Sequence, residues 1–136
     1  MTRLIYHPLS SSSNTSPFDE CAVKVAQSGS IRIVSPYIGV SYLQRLIGLA
    51  GEWQLITDVE AWLSSLSFRA RPRAWSFIRE HLELIHHCPD IHAKLVLSKA
   101  LAMMGSANLT HTGILGRTEL GVLIDDPEMI REMQEW

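Results

Sequence analysis

Two β-rich runs, Ile31-Arg32-Ile33-Val34-Ser35 and Trp53-Gln54-Leu55-Ile56-Thr57, flank a stretch in which Leu43, Leu46, Ile47 and Ala50 recur at helical spacing. A strand–helix–strand unit of this length is a crossover, and a crossover joins parallel strands rather than a hairpin. The chain is thereby committed to an α/β fold. Ser41 is expected to cap the crossover helix and Gly51 to stop it. Upstream, Ser16 can cap a helix, Pro17 suits its first position, and Asp19 complements the positive end of its dipole. Phe18, Cys21, Ala22 and Val25 then give one apolar face, and Gly29 ends the helix. Residues 1–16 are expected as an irregular N-terminal segment, in which Arg3–Tyr6 can form a short strand before the polar loop Ser10–Thr15. Downstream, a helix is expected over 68–82, with Trp75, Ile78 and Leu82 along one face. Strands follow at 82–85, 92–97, 101–104 and 119–124. A final helix is expected after Asp126, about three turns before Trp136, and a domain excised from, or continuing into, something longer is expected.

A chain of 136 residues fits one domain spanning 1–136. No stretch approaches the ~18–20 uncharged apolar residues of a membrane span, so stable membrane association is not expected. The first eight residues lack the apolar segment of a secretory signal, and cytoplasmic residence follows as the default. Cys21 and Cys88 form neither a C-x-x-C pair nor a disulfide framework and are expected as reduced, buried thiols. Twelve Lys and Arg against fourteen Asp and Glu give a net charge of −2, so binding of nucleic acid would need a local basic face. One candidate exists: Arg69, Arg71, Arg73 and Arg79 share the helix over 68–82, as a solvated face or as a phosphate-tracking patch. Trp53, Trp62 and Trp75 read as core or dimer contacts. His86 and His87, being adjacent on a strand, point to opposite faces and cannot share a metal ion.

The chemistry-bearing segment is His92-Ala93-Lys94, followed by Gly105-Ser106-Ala107-Asn108. Two residues apart on a strand, His92 and Lys94 would project from the same sheet face. An imidazole beside a fixed ammonium suits attack on a phosphate, with the cation holding a non-bridging oxygen. Gly105 permits close backbone approach, and the Ser106 hydroxyl and Asn108 amide can donate to the same oxyanion. Pro89-Asp90 with Lys94 does not make a metal-dependent nuclease site, because His92 stands where that site needs an acidic ligand.

This constellation resembles the phospholipase D superfamily, whose signature is H-x-K-x4-D followed by G-S-x-N. The His92-x-Lys94 and Gly105-Ser106-x-Asn108 units stand at the family spacing, and Asn108-Leu109-Thr110, Gly113, Glu119-Leu120-Gly121-Val122 and Ser35-Pro36-Tyr37-Ile38 extend the likeness over about residues 31–126. One position departs, with Lys99 where the family Asp falls. The resemblance implies a mixed β-sheet flanked by helices. It also implies a metal-independent phosphodiesterase with no cofactor, a hydrolase of the nuclease or endonuclease kind acting on DNA or RNA. His92 would form a phosphohistidine, a second histidine would serve the leaving oxygen and the water, and Lys94, Ser106 and Asn108 would neutralise phosphoryl charge. Glu119 would accept a hydrogen bond from the other ring nitrogen of His92.

Sites in this family use two H-x-K units, and this chain has one. A working site therefore implies a homodimer, with His92 and Lys94 of both copies meeting at a two-fold axis. Two other readings compete. Lys99 and the modest net charge also fit a catalytically silent module that binds nucleic acid or serves as a scaffold. A phospholipid phosphodiesterase is the third.

Overall fold

The computed structural model describes residues 2–8, 15–116 and 118–136; Ser10–Asn14 of the expected polar loop lie outside them. Seven strands form one mixed sheet: β1 (Arg3–Tyr6), β2 (Ile31–Val34), β3 (Trp53–Thr57), β4 (Ile85–His87), β5 (Leu95–Leu97), β6 (Ala102–Gly105) and β7 (Leu120–Ile124). Their spatial order is β1-β7-β6-β5-β2-β3-β4. β2, β3 and β4 run parallel, and β2–β5, β5–β6, β6–β7 and β7–β1 pair antiparallel. The crossover expected from the first two β-rich runs is present, with the helix Val40–Ile47 joining the parallel strands β2 and β3. The mixed sheet with flanking helices that the resemblance implies is therefore present.

Each helix is explained by local chemistry. In α1 (Pro17–Gln27) the Ser16 hydroxyl accepts from the Asp19 N–H at 3.3 Å, Pro17 occupies the first turn, and Phe18, Cys21, Ala22 and Val25 are buried. Full burial of each large apolar side chain is worth about 1.5–3 kcal/mol. The helix ends at Ser28, and Gly29, at φ 130°, turns the chain into β2 through a conformation that side chains rarely adopt. α2 (Val40–Ile47) begins earlier than expected, because the first helical bond runs from the Leu43 N–H to the Gly39 carbonyl at 2.9 Å. Gly39 is thus the cap and Ser41 lies inside the helix, which stops at Gly48 rather than Gly51.

The stretch after β3 holds a helix with no counterpart in the sequence reading. α3 (Val59–Ser65) is capped by the Asp58 carboxylate, which accepts from the Ala61 N–H at 3.0 Å. Its Trp62 is fully buried and donates to the Ile38 carbonyl at 2.8 Å. α4 (Arg71–Glu80) is shorter than the expected 68–82 helix, since Ser67 closes a turn onto the Ala70 and Arg71 N–H groups first. Leu82–Leu84 form a turn on the His81 carbonyl, so the strand expected at 82–85 becomes β4 at Ile85–His87, in register with Leu55–Thr57. A π-helical turn (Thr112–Gly116) precedes β7, and α5 (Pro127–Glu135) follows it with Asp126 as cap.

Residues 1–16 are not irregular throughout, because Arg3–Tyr6 pairs with Leu120–Leu123 as the edge strand β1. The sheet buries both faces. On one, Ile33, Leu55, Val96, Met103 and Leu123 pack against α1–α4. On the other, Val34, Leu95, Leu97, Ala102 and Ile124 pack against Ile130 of α5. Cys21 is buried, whereas Cys88 is only half-buried. Trp53 stacks on Phe77 and Trp75 is half-exposed, leaving Trp62 as the core tryptophan.

Candidate active site

Antiparallel pairing of β5 with β2 and β6 brings Ser35, Lys94, Ser106 and Glu119 to one end of the sheet, where β2 and β6 end and β5 and β7 begin. His92 and Lys94 are not on a strand. β5 starts at Leu95, and the segment before it lies outside the strand, tied to β6 by the Gly105 N–H on the Lys94 carbonyl at 3.3 Å. The expected rigid-strand placement is therefore corrected. The two side chains meet nonetheless: Lys94 Nζ donates to the His92 carbonyl at 2.8 Å and stands 3.1 Å from His92 Nδ1. His92 is exposed and Lys94 half-buried. Burial pushes the Lys94 ammonium below its usual pKa, and the Glu119 carboxylate partly opposes that shift.

In this structure the Glu119 carboxylate bonds Ser106 rather than His92. It takes the Ser106 hydroxyl, whose oxygen in turn accepts from the Leu120 N–H at 3.0 Å. The reason is local, because Ser106 follows β6 directly and the Ser106 N–H bonds the Leu120 carbonyl at 2.9 Å, which holds its side chain beside the residue that precedes β7. The Glu119 charge is thus felt at Lys94 without a direct ion pair, and a serine hydroxyl is tethered to that carboxylate.

Gly105 makes this possible. It pairs with Gly121, and a Cβ at Gly105 would lie 2.5 Å from both Gly121 Cα and the Leu120 carbonyl oxygen. Asn108 lies on the loop beyond, with its Oδ1 buried and without a hydrogen-bond partner among the described residues. Ser35, which sequence reasoning passed over as part of Ser35-Pro36-Tyr37-Ile38, ties this loop to the end of β2. Its hydroxyl donates to the Tyr37 carbonyl at 2.9 Å and accepts from the Leu109 N–H at 3.2 Å. The narrow cleft beside Lys94, lined also by Phe18, Ser35, Met104 and Gly105, has a volume of about 10 Å³.

The arginines do not join this group. Arg71 donates to the Leu63 and Leu66 carbonyls at 3.1 and 3.2 Å, closing the end of α3, and Arg73 donates to Gln44 at 3.1 Å. Arg69 and Arg79 are exposed. His87 Nδ1 accepts from the Val59 N–H at 3.0 Å, a structural contact, while His86 is exposed. Lys99 is exposed in the β5–β6 turn, at the opposite end of β5 from Lys94. There Ser98 holds the turn: its hydroxyl accepts from the Ala100 and Leu101 N–H groups at 3.2 and 3.0 Å, and from Ser28 at 2.7 Å. The turn is thus closed without a carboxylate at position 99.

A family model described as "Cardiolipin synthase, PLD-like domain" matches residues 22–136. A comparison with curated protein sequences gives no match. Among solved structures, NucT from Helicobacter pylori is 15% identical with a TM-score of 0.68, covering 99% of this chain and 91% of NucT. Nuc from Salmonella typhimurium, a phospholipase D family member, is 17% identical with a TM-score of 0.68, covering 99% and 90%. Phosphatidylserine synthase from Haemophilus influenzae is 11% identical with a TM-score of 0.61, over 97% of this chain and 35% of the synthase. At these identities the structural likeness speaks for the fold, and the family model speaks for kinship over most of the chain. Sheet order, the His92-x-Lys94 pair and the Gly105-Ser106-x-Asn108 loop agree with it: the chain belongs to the phospholipase D-like domain family.

Proposed function

We propose that this protein is a metal-independent phosphodiesterase that cleaves nucleic-acid backbones, with His92 as nucleophile. The carrying observation is the exposed His92 imidazole beside the fastened Lys94 ammonium, at the open end of the sheet next to Ser106 and Glu119. An in-line attack by His92 forms a P–N bond as the P–O bond to the leaving group breaks. Lys94 neutralises a non-bridging oxygen, with the Asn108 and Ser106 side chains beside it. The leaving oxygen takes a proton from His92 of a second copy. That imidazole then removes a proton from water, which attacks phosphorus and breaks the P–N bond. Attack through Nε2 needs the proton on Nδ1, which an ammonium facing Nδ1 does not select. The exposed ring must therefore turn from Lys94 toward an acceptor, and the Glu119 carboxylate, whose charge reaches Lys94, is the one proposed.

The need for a second copy comes from there being one H-x-K unit per chain. Tyr6, Met104 and Leu120 support a contact there. Cross-strand register puts them on one face of β1, β6 and β7, at the end of the sheet that carries Ser106, and all three are exposed. A nucleic-acid substrate is favoured over a lipid because a compact chain of 136 residues with one H-x-K unit leaves no room for an elaborate acyl-chain pocket or lid. The test is cleavage of single- and double-stranded DNA and of RNA in EDTA. Turnover should persist with chelator and vanish in His92→Ala. Loss of activity in EDTA, full activity of His92→Ala, or binding of every substrate without cleavage each overturns the proposal.

A further inference from the structure

The His92 loop is held by a residue far from it in sequence. Between β4 and β5 the chain crosses from Cys88 to Lys94, and His92 is exposed within that crossing. The crossing starts from a backbone bond, the Cys88 N–H on the Thr57 carbonyl at 2.9 Å. Asp90 then adopts φ 61°, the left-handed region that few residues other than glycine enter, though aspartate tolerates it better than most. That turn aims the Asp90 N–H at Asp58 Oδ2, 2.9 Å away. The other oxygen of the same carboxylate caps α3 through the Ala61 N–H at 3.0 Å. Ile91 next packs against the α5-side core, and His92 follows.

We propose that Asp58 is a positioning residue for His92: one carboxylate oxygen holds the start of α3 and the other latches the His92 loop onto it. This rests on the nucleophilic reading of His92 and adds to it the group that sets where the imidazole stands. Buried Trp62 fixes α3 against the core, so the latch refers His92 to a rigid frame two residues before the reacting ring. The latch acts through the backbone of Asp90, and the Asp90 side chain is not needed for it. Misplacement of a reacting group by about 1 Å can cost 10²-fold in rate, so a loop freed at this point should lower kcat rather than affinity.

Asp58→Ser separates the two jobs. A serine still caps a helix about as well as aspartate but has one short acceptor, which cannot also reach the Asp90 N–H. Amide hydrogen exchange in Asp58→Ser should speed up at least tenfold at Asp90 and stay unchanged at Ala61. With a chromogenic phosphodiester such as bis(p-nitrophenyl) phosphate, kcat should fall ten- to a hundredfold while KM stays within twofold. Asp90→Asn, which keeps both the N–H and the backbone conformation, should match wild type in both readouts. Unchanged exchange at Asp90, or faster exchange with kcat within twofold of wild type, overturns the latch. If Asp58→Ser also loosens Ala61, the cap has failed, and Asp58→Asn, with one acceptor oxygen left, decides by the same criteria. A wild type that turns over no phosphodiester overturns the proposed function instead. The latch is then decided by exchange at Asp90 and by the His92 ring resonance, which must shift in Asp58→Ser while that of His86 does not.

Discussion

Replacing Gly105 with alanine puts a methyl group into the tightest backbone approach of the sheet. The new Cβ would lie 2.5 Å from two backbone atoms of β7, about 0.9 Å inside the 3.4 Å at which ordinary contact begins. Neither atom belongs to a flexible side chain, so β6 and β7 must separate. The separation falls on the bonds that link Ser106 to Leu120, at 2.9 Å through its N–H and 3.0 Å through its hydroxyl. Overpacking of this kind costs roughly 1–3 kcal/mol, and one strained hydrogen bond about 1 kcal/mol more. A total of about 2–4 kcal/mol lowers Tm by roughly 7–14 °C for a chain of this size. The same movement carries Ser106 and Glu119 away from Lys94, so cleavage should fall by about 10²-fold even well below Tm. Gly51→Ala is the control, since its Cβ would meet nothing within 4 Å; it should hold or slightly raise Tm. Differential scanning calorimetry with a cleavage assay at 20 °C reads both effects. A Gly105→Ala protein melting within 2 °C of wild type would refute the close-approach argument.

Two pH dependences follow from the charge environment. Burial holds the Lys94 ammonium below its usual pKa, so the cation is lost as pH rises through that lowered value. The alkaline limb of kcat/KM should therefore bend before pH ~10.4, the unperturbed lysine value. Lys94→Arg should move the limb upward while lowering the maximum rate, and a limb unchanged by this substitution would contradict the assignment. The Asp19 carboxyl is held below its usual range first by the hydrogen bond from Arg45 and also by that from Tyr42, against some desolvation. A lowered folded-state pKa stabilises above the unfolded value, and that stability disappears as pH falls through the folded one. For a pair this exposed the gain is about 0.2–1 kcal/mol. The Tm gap between wild type and Asp19→Asn should thus be present at pH 7 and close below pH ~4; a gap independent of pH would rule out the ion pair as its source.

Much of the fold could be read from local signals. Ser16, Pro17 and the Phe18–Val25 face announce α1 because capping and apolar spacing act within a few residues, and the α2 crossover follows from its length. What was missed depends on tertiary contact. α3 is short and contributes only Trp62 to the core among its fully buried side chains, so its periodicity is too brief to stand out, although Asp58 three residues before Ala61 is a cap signal that could have been used. The helix over 68–82 was overdrawn at both ends because Phe68 and Leu82 look like core residues, yet the structure exposes both. At the site, His92-x-Lys94 marks two side chains that meet, and Gly105-Ser106-x-Asn108 marks the serine that bonds Glu119 at the same end of the sheet. The partner of Glu119 was not legible, since Ser106 and Glu119 are thirteen positions apart and meet only through the β6–β7 register. The anchoring of the His92 loop by Asp58, thirty-two positions from Asp90, is equally invisible in a linear reading.

The most direct measurement concerns the bond that His92 is asked to form. A short oligonucleotide with a radiolabelled scissile phosphate is mixed with the protein and quenched in alkali within milliseconds, conditions under which a P–N bond survives. The modified peptide is then sequenced by mass spectrometry. A label on His92 that is absent in His92→Ala and chases away with turnover is the predicted result. Turnover without any protein-bound label, or a label on another residue, would contradict the account.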